Sequence, residues 1–210
     1  MADYQKTNYL NTTHISNNLR LYESARSGFF VFMINNPAET FANLVKPGVD
    51  PDASEPTAEN GQLYVGEIAA EAIKLNVVKA SVPNFEIAEH EYRIGNDVVY
   101  FAGVPTFADG SITVNDVIGL ETKNIFYAWQ YLAYNPHTRK GGRMKDYKKS
   151  CTLIEYTQDL QKIRSWTLEG CWVKNIEEGE FDKENDDKRQ MTISIRYDRA
   201  IMDPVDPELI

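Results

Sequence analysis

Apolar and polar positions along this chain fall into short extended segments, with one stretch of clear helical period. Residues 29–34, Phe-Phe-Val-Phe-Met-Ile, form an unbroken apolar run whose length suits a strand covered on both faces. Residues 73–82 come close to alternation and stop at Pro83, which predicts a strand preceded by a helical turn over 66–72. An extended stretch over 85–101 breaks at Gly95-Asn96, so a hairpin is expected there, with Val98, Val99, Tyr100 and Phe101 in its second arm. Residues 111–115 alternate cleanly, with Ile112 and Val114 inward. Between Leu120 and Tyr134, the residues Ile125, Phe126, Trp129, Leu132 and Ala133 take the spacing of one helical face, which Asn135-Pro136 ends. Strands are predicted over 150–156 and 162–168, joined by a turn at Gln158-Asp159. A last strand covers 190–197, with Met191, Ile193, Ile195 and Tyr197 on one face and Thr192, Ser194 and Arg196 on the wet one.

Two regions depart from this rhythm. Residues 1–28 are polar, with at most a short helix through Leu19, Leu21 and Tyr22, and read as an N-terminal arm. Residues 35–61 carry Pro37, Pro47, Pro51 and Pro56 among acidic side chains, a composition that supplies neither ladder donors nor a buried face, and read as a long surface loop. The sum is one mainly β, antiparallel domain over residues 1–210 with one flanking α-helix.

Composition narrows the function. In 210 residues, 42% are hydrophobic and 25% charged, enough for a sizeable core. A net charge of -9 argues against gripping nucleic acid as the main task, because that affinity comes from Lys and Arg neutralising phosphates. It suits a surface past which DNA slides, since like charges repel. Cys151 and Cys171 lie in strand-like surroundings without zinc spacing and read as two buried thiols. The first residues hold no apolar run of a signal peptide, so synthesis in the cytoplasm without export is expected.

Catalytic chemistry finds no foothold. His14, His90 and His137 lack the spacing that sets two imidazoles on one metal. Residues 182–187 are acidic, but without the glycine and closing glutamate of a calcium loop they read as a solvated turn. Phosphate-binding and nucleophile-elbow motifs are absent, and the adjacent Glu177 and Glu178 give no opposed acid and base. No cofactor or metal is implied.

One local feature runs against the acidic whole. Residues 136–149 carry Arg139, Lys140, Arg143, Lys145, Lys148 and Lys149 against a single acid, Asp146. A solvated loop, a nucleic-acid patch and a dock for an acidic protein surface all fit. Protein docking is favoured, because only Tyr147 is interleaved as a stacking group.

Several blocks, in order, resemble the tail tube proteins of contractile bacteriophages, relatives of the tubes of type VI secretion and injection systems. Val78-Lys79-Ala80-Ser81-Val82-Pro83 is similar to a strand-ending signature of that family. Val99-Tyr100-Phe101-Ala102-Gly103, then Phe107 to Asp116, resemble its next block, and Phe126 with Trp129 its helix. Gly141-Gly142 with Asp146-Tyr147-Lys148-Lys149-Ser150, then Gly170-Cys171-Trp172-Val173-Lys174-Asn175-Ile176, resemble its later elements, with Val173 where proline is frequent. Agreement spans residues 74–200, and against compact members residues 35–64 look inserted.

The resemblance implies a β-sandwich or barrel-like subunit with a lateral helix. It implies hexameric rings of self-copies, stacked helically around a channel, with sheath, baseplate and tail terminator proteins as partners. Tape-measure protein and DNA would occupy the lumen without specific binding. The site would be a virion tail, after assembly in the host cytoplasm. The six basic residues become a candidate ring or sheath interface. Two alternatives are the inner tube of a secretion or injection device, and a monomeric nucleic-acid-binding module using residues 136–149.

Overall fold

The computed structural model describes residues 27–41, 66–117, 122–180 and 188–203. Most of the expected N-terminal arm, most of the expected loop 35–64, His14 and the acidic turn at 182–187 lie outside them. The elements run β1 (Phe30–Ile34), α1 (Pro37–Thr40), α2 (Gly66–Asn76), β2 (Val77–Ala80), β3 (Phe85–Ile94), β4 (Asp97–Phe107), β5 (Gly110–Asn115), α3 (Thr122–Ala133), β6 (Tyr134–Asn135), β7 (Lys140–Gly141), α4 (Met144–Tyr147), β8 (Lys149–Tyr156), β9 (Lys162–Glu178), β10 (Gln190–Arg196) and β11 (Arg199–Met202).

The main sheet is antiparallel, in the order β1-β8-β9-β10-β5-β2, with β11 also on β9. Its spine is β9, a 17-residue strand whose first half pairs with β8 and whose second half pairs with β10. The halves meet at a bulge. Lys149 faces Cys171 and Cys151 faces Leu168, so β9 spends one residue more than β8 between these pairs. That extra residue switches parity, which lets Leu168 on one side and Cys171 and Val173 on the other all point inward. Gly170 takes the turn at φ 69, and a Cβ there would lie 2.2 Å from Asp198 Oδ2. Any other residue would strain the backbone here and have to displace the Asp198 side chain.

The two halves enclose the core. Ile112 and Val114, and Met191, Ile193 and Ile195, are buried at alternate positions, as their sequence pattern predicts. Cys151 and Leu153 are buried likewise, and in β1, where the apolar run predicts cover on both faces, Phe32 and Ile34 are buried while Val31 and Met33 are only partly so. The outer strands β1 and β2 also touch, which curls the sheet into the expected barrel-like form. Cys151 and Cys171 are both buried free thiols, and burial pushes the Cys151 thiol up.

Helix α3 packs on β9 with Ile125, Phe126, Ala128 and Trp129 buried. Trp129 Nε1 donates to the Tyr147 carbonyl at 2.9 Å, satisfying its polar atom. A second helix lies beside it. α2 runs through Asn76, where the near-alternating pattern from Ile73 predicts strand, so only Val77–Ala80 is extended. Ala69, Ala72 and Ile73 form its buried face, a helical spacing that competes with the period of two. Asn76 Nδ2 donates to Ala72 O at 2.9 Å and to Thr122 Oγ1 at 2.7 Å, joining the end of α2 to the start of α3.

The start of the expected surface loop also differs. Residues 37–40 form α1, with Pro37 at its first turn, and Phe41 is fully buried edge-on to Trp129 at 5.9 Å. A proline that reads as a strand breaker starts a helix instead, and the aromatic residue four places on supplies the buried face.

Glu178, at the end of β9, binds the sheet to the helix. It accepts from Lys123 Nζ and Tyr127 OH, each at 2.6 Å, and pairs with Arg189. Lys123 and Tyr127 hold its carboxyl below the usual range, and Glu178 in turn pushes the Tyr127 phenol up to about 12.

Candidate assembly surface: a projecting hairpin and a basic turn

Strands β3 and β4 pair only with each other, apart from the main sheet. All ten residues of β3 are exposed, and so are nearly all of the eleven in β4. The hairpin at Gly95 is where the sequence predicts it, with Gly95 at φ 64 in the turn. Its length and exposure were not legible.

Register sorts its side chains into two faces. Beyond the bulge, His90 opposes Phe101, Tyr92 opposes Val99 and Ile94 opposes Asp97 on one face. On the other, Glu89 opposes Ala102, Glu91 opposes Tyr100 and Arg93 opposes Val98. The first face is largely apolar, and Tyr92 at 60% and Phe101 at 57% exposure lie open. At the bulge itself, a Cβ on Gly103 would lie 2.8 Å from Ala88 O, so the strands close here only because this residue has no side chain.

The root is anchored firmly. Ala108 N donates to Asn84 O at 3.2 Å, and Arg196 Nη1 donates to Phe107 O at 2.8 Å and to Asp109 at 2.7 Å. Phe107 meets Tyr197 edge-on at 6.0 Å and Phe85 at 5.5 Å. Lys174 reaches Asp109 at 2.5 Å, and with Arg196 it holds that carboxyl below its usual range. A fixed base therefore carries an arm whose apolar face is uncovered.

The predicted basic residues divide into two sets. After α3, the Asn135 side chain accepts from His137 N and Thr138 N, a local turn that reverses the chain into β7. Arg139, at φ 57, and Lys140, Arg143 and Lys145 are exposed on this excursion, beside the exposed Tyr134 and Met144. Lys148 instead pairs with Asp198 at 2.6 Å, and Lys149 is half-buried in β8, where burial lowers its ammonium pKa. Four of the six share the excursion, and two belong to the body.

Gly142 fixes where that excursion leaves. Its N–H donates to Ala133 O at 2.9 Å, and a Cβ on it would lie 1.7 Å from Leu132 O. At Gly141 nothing lies within 4 Å. Of the glycine pair, the second is the one the backbone requires.

Among the described residues no group of three or more His, Cys, Asp or Glu side chains is placed to hold a metal, and no helix is long and apolar enough to cross a membrane. The profile of the T4-like virus tail tube protein gp19 family matches residues 67–200, from α2 to β11. The chain belongs to this family. It is 26% identical over 107 residues to tail tube protein gp19 of Enterobacteria phage T4, covering 49% of this chain and 66% of that protein. To the tail tube protein of Serratia phage KSP90 it is 25% identical over 131 residues, covering 61% and 74%. The match thus spans just under two thirds of the T4 protein's length.

Solved structures agree on the fold. A chain of the sheath–tube complex of an extracellular contractile injection system, PVC, superposes with TM-score 0.60 at 12% identity, covering 90% of this chain and 98% of that one. The tube-terminating cap of the anti-feeding prophage gives 0.57 at 12% identity, covering 86% and 91%. The hairpin and the glycine-led basic turn both lie within the tail tube family match.

Proposed function

We propose that this chain is a structural, non-catalytic subunit of the tube of a contractile phage tail. Copies close into hexameric rings that stack around a channel for DNA and tape-measure protein, inside a sheath and between baseplate and tail terminator. The observation that carries this reading is the projecting hairpin. A two-stranded sheet is marginal in water by itself, and a contiguous apolar face on an otherwise well-packed subunit marks an interaction surface. Repeating one heterologous contact closes a ring, which also covers strand edges that would otherwise aggregate. The net charge of -9 suits a conduit along which DNA slides.

Family membership favours a phage tail over an injection device. The nucleic-acid-binding alternative has less behind it, since Lys148 is paired with Asp198 and Lys149 is half-buried. Electron microscopy of the purified chain, concentrated or incubated with baseplates, is expected to show rings or hollow tubes. Dispersed monomers under both conditions would overturn the proposal.

A further inference from the structure

The projecting hairpin and the basic turn have opposite chemistry on the same subunit. Between Phe85 and Phe107 the hairpin carries Glu86, Glu89, Glu91 and Asp97 against the single cation Arg93. Between Tyr134 and Tyr147 the excursion after α3 carries Arg139, Lys140, Arg143 and Lys145 against the single carboxylate Asp146. Both surfaces also expose apolar side chains: Val98 and Tyr100 on the hairpin face that carries Glu89 and Glu91, and Tyr134 and Met144 beside the cations. Each side therefore has an apolar part to exclude water and an excess of charge of one sign to fix orientation, the division of labour of a specific interface. On the hairpin, Glu91 is paired to Arg93 at 3.7 Å.

We infer that the hairpin of one subunit docks on the basic turn and α4 of a second copy of this chain. This rests on the tube reading and names the patch that receives the arm. Two observations favour a second copy over another occupant. The charges complement each other in sign and nearly in number, and both patches sit on rigid attachments. The hairpin root is held by Arg196 and the Phe107–Tyr197 contact, and the turn by the Gly142 bond to Ala133. Preorganised surfaces lose little freedom on docking.

Self-assembly of the full chain tests the pairing, followed by sedimentation and electron microscopy. Arg143→Glu with Lys145→Glu, and separately Glu89→Lys with Glu91→Lys, are each expected to raise the concentration needed for assembly by about tenfold or more, since facing like charges repel. All four substitutions in one chain are expected to restore assembly, because the attraction is then rebuilt with its signs exchanged. Circular dichroism confirms folding in each variant, as all four positions are exposed. If both pairs impair assembly and their combination does not recover it, the pairing is overturned while the tube reading stands. Normal tubes from the Arg143/Lys145 variant with sheath attachment or DNA binding lost would likewise overturn it. Wild-type chain that never assembles would overturn both.

Discussion

The body of this subunit and its hairpin arm are built from the same kinds of residue, yet they end in opposite environments. In the body, Ile112 and Ile193 alternate with polar neighbours and are buried, as are Phe32 and Leu153. In the arm, Tyr92 sits between the charged Glu91 and Arg93, and it is exposed together with Val99 and Phe101 on the same face. What differs is the number of layers. Strands β1, β5, β8, β9 and β10 share one buried cluster with the helices, whereas β3 and β4 pair only with each other. The body thus completes its own hydrophobic contacts, and the arm leaves its contacts to another molecule.

The strongest way to break this comparison is to strike the body. Trp129→Ala empties the junction of α3, Phe41 and Phe126 and is expected to cost about 3–5 kcal/mol, read by denaturant unfolding. Next comes Gly142→Ala. Its methyl must push Leu132 O or the basic turn aside, at about 1–3 kcal/mol, and assembly should suffer with stability because the turn moves.

Glu178→Gln should cost about 1–2 kcal/mol, since it leaves Lys123 and Arg189 facing a neutral acceptor. The pH dependence follows from the same group. The carboxyls of Glu178 and Asp109 sit below their ordinary values of 4.5 and 3.8, so their contribution is full above those values and is lost as pH falls below them. Tyr127 acts at the other end. Its phenol is raised from 10.0 to about 12, so the neutral form stabilises the fold below pH 10.0, and that contribution is lost as pH rises toward 12. Thermal unfolding across pH should narrow at both limits, and Glu178→Gln should flatten them.

The smallest effect on stability is expected in the arm. Tyr92→Ser with Phe101→Ser should shift unfolding by under about 0.5 kcal/mol, as exposed positions do, while abolishing assembly. A large loss of stability there would show that the arm is part of the body's core.

Much of this architecture is legible in the sequence, because alternation over 111–115 and 190–197 reports burial on one face directly. The same signal misleads at Ile73, where the buried spacing of Ala69, Ala72 and Ile73 is helical and the alternation beyond it is coincident. Phe41 was hidden among prolines, though an aromatic residue just after a possible helix start is itself a clue. The basic turn was legible as composition, but the diversion of Lys148 to Asp198 depends on the bend at Gly170, which brings distant residues together. The arm's exposure could not be read. Alternation gives one face to each strand, and whether anything covers that face is decided by topology. The mixed character of Glu89, Glu91 and Arg93 beside Tyr100 and Val98 was the available hint.

Hydrogen exchange on the full chain, before and after assembly, tests the contrast most directly. The amides of residues 85–107 should exchange readily in the free subunit and gain at least about tenfold protection in tubes, while those of β8 and β10 stay protected in both. A hairpin equally protected in the free subunit, or unchanged on assembly, would contradict the account.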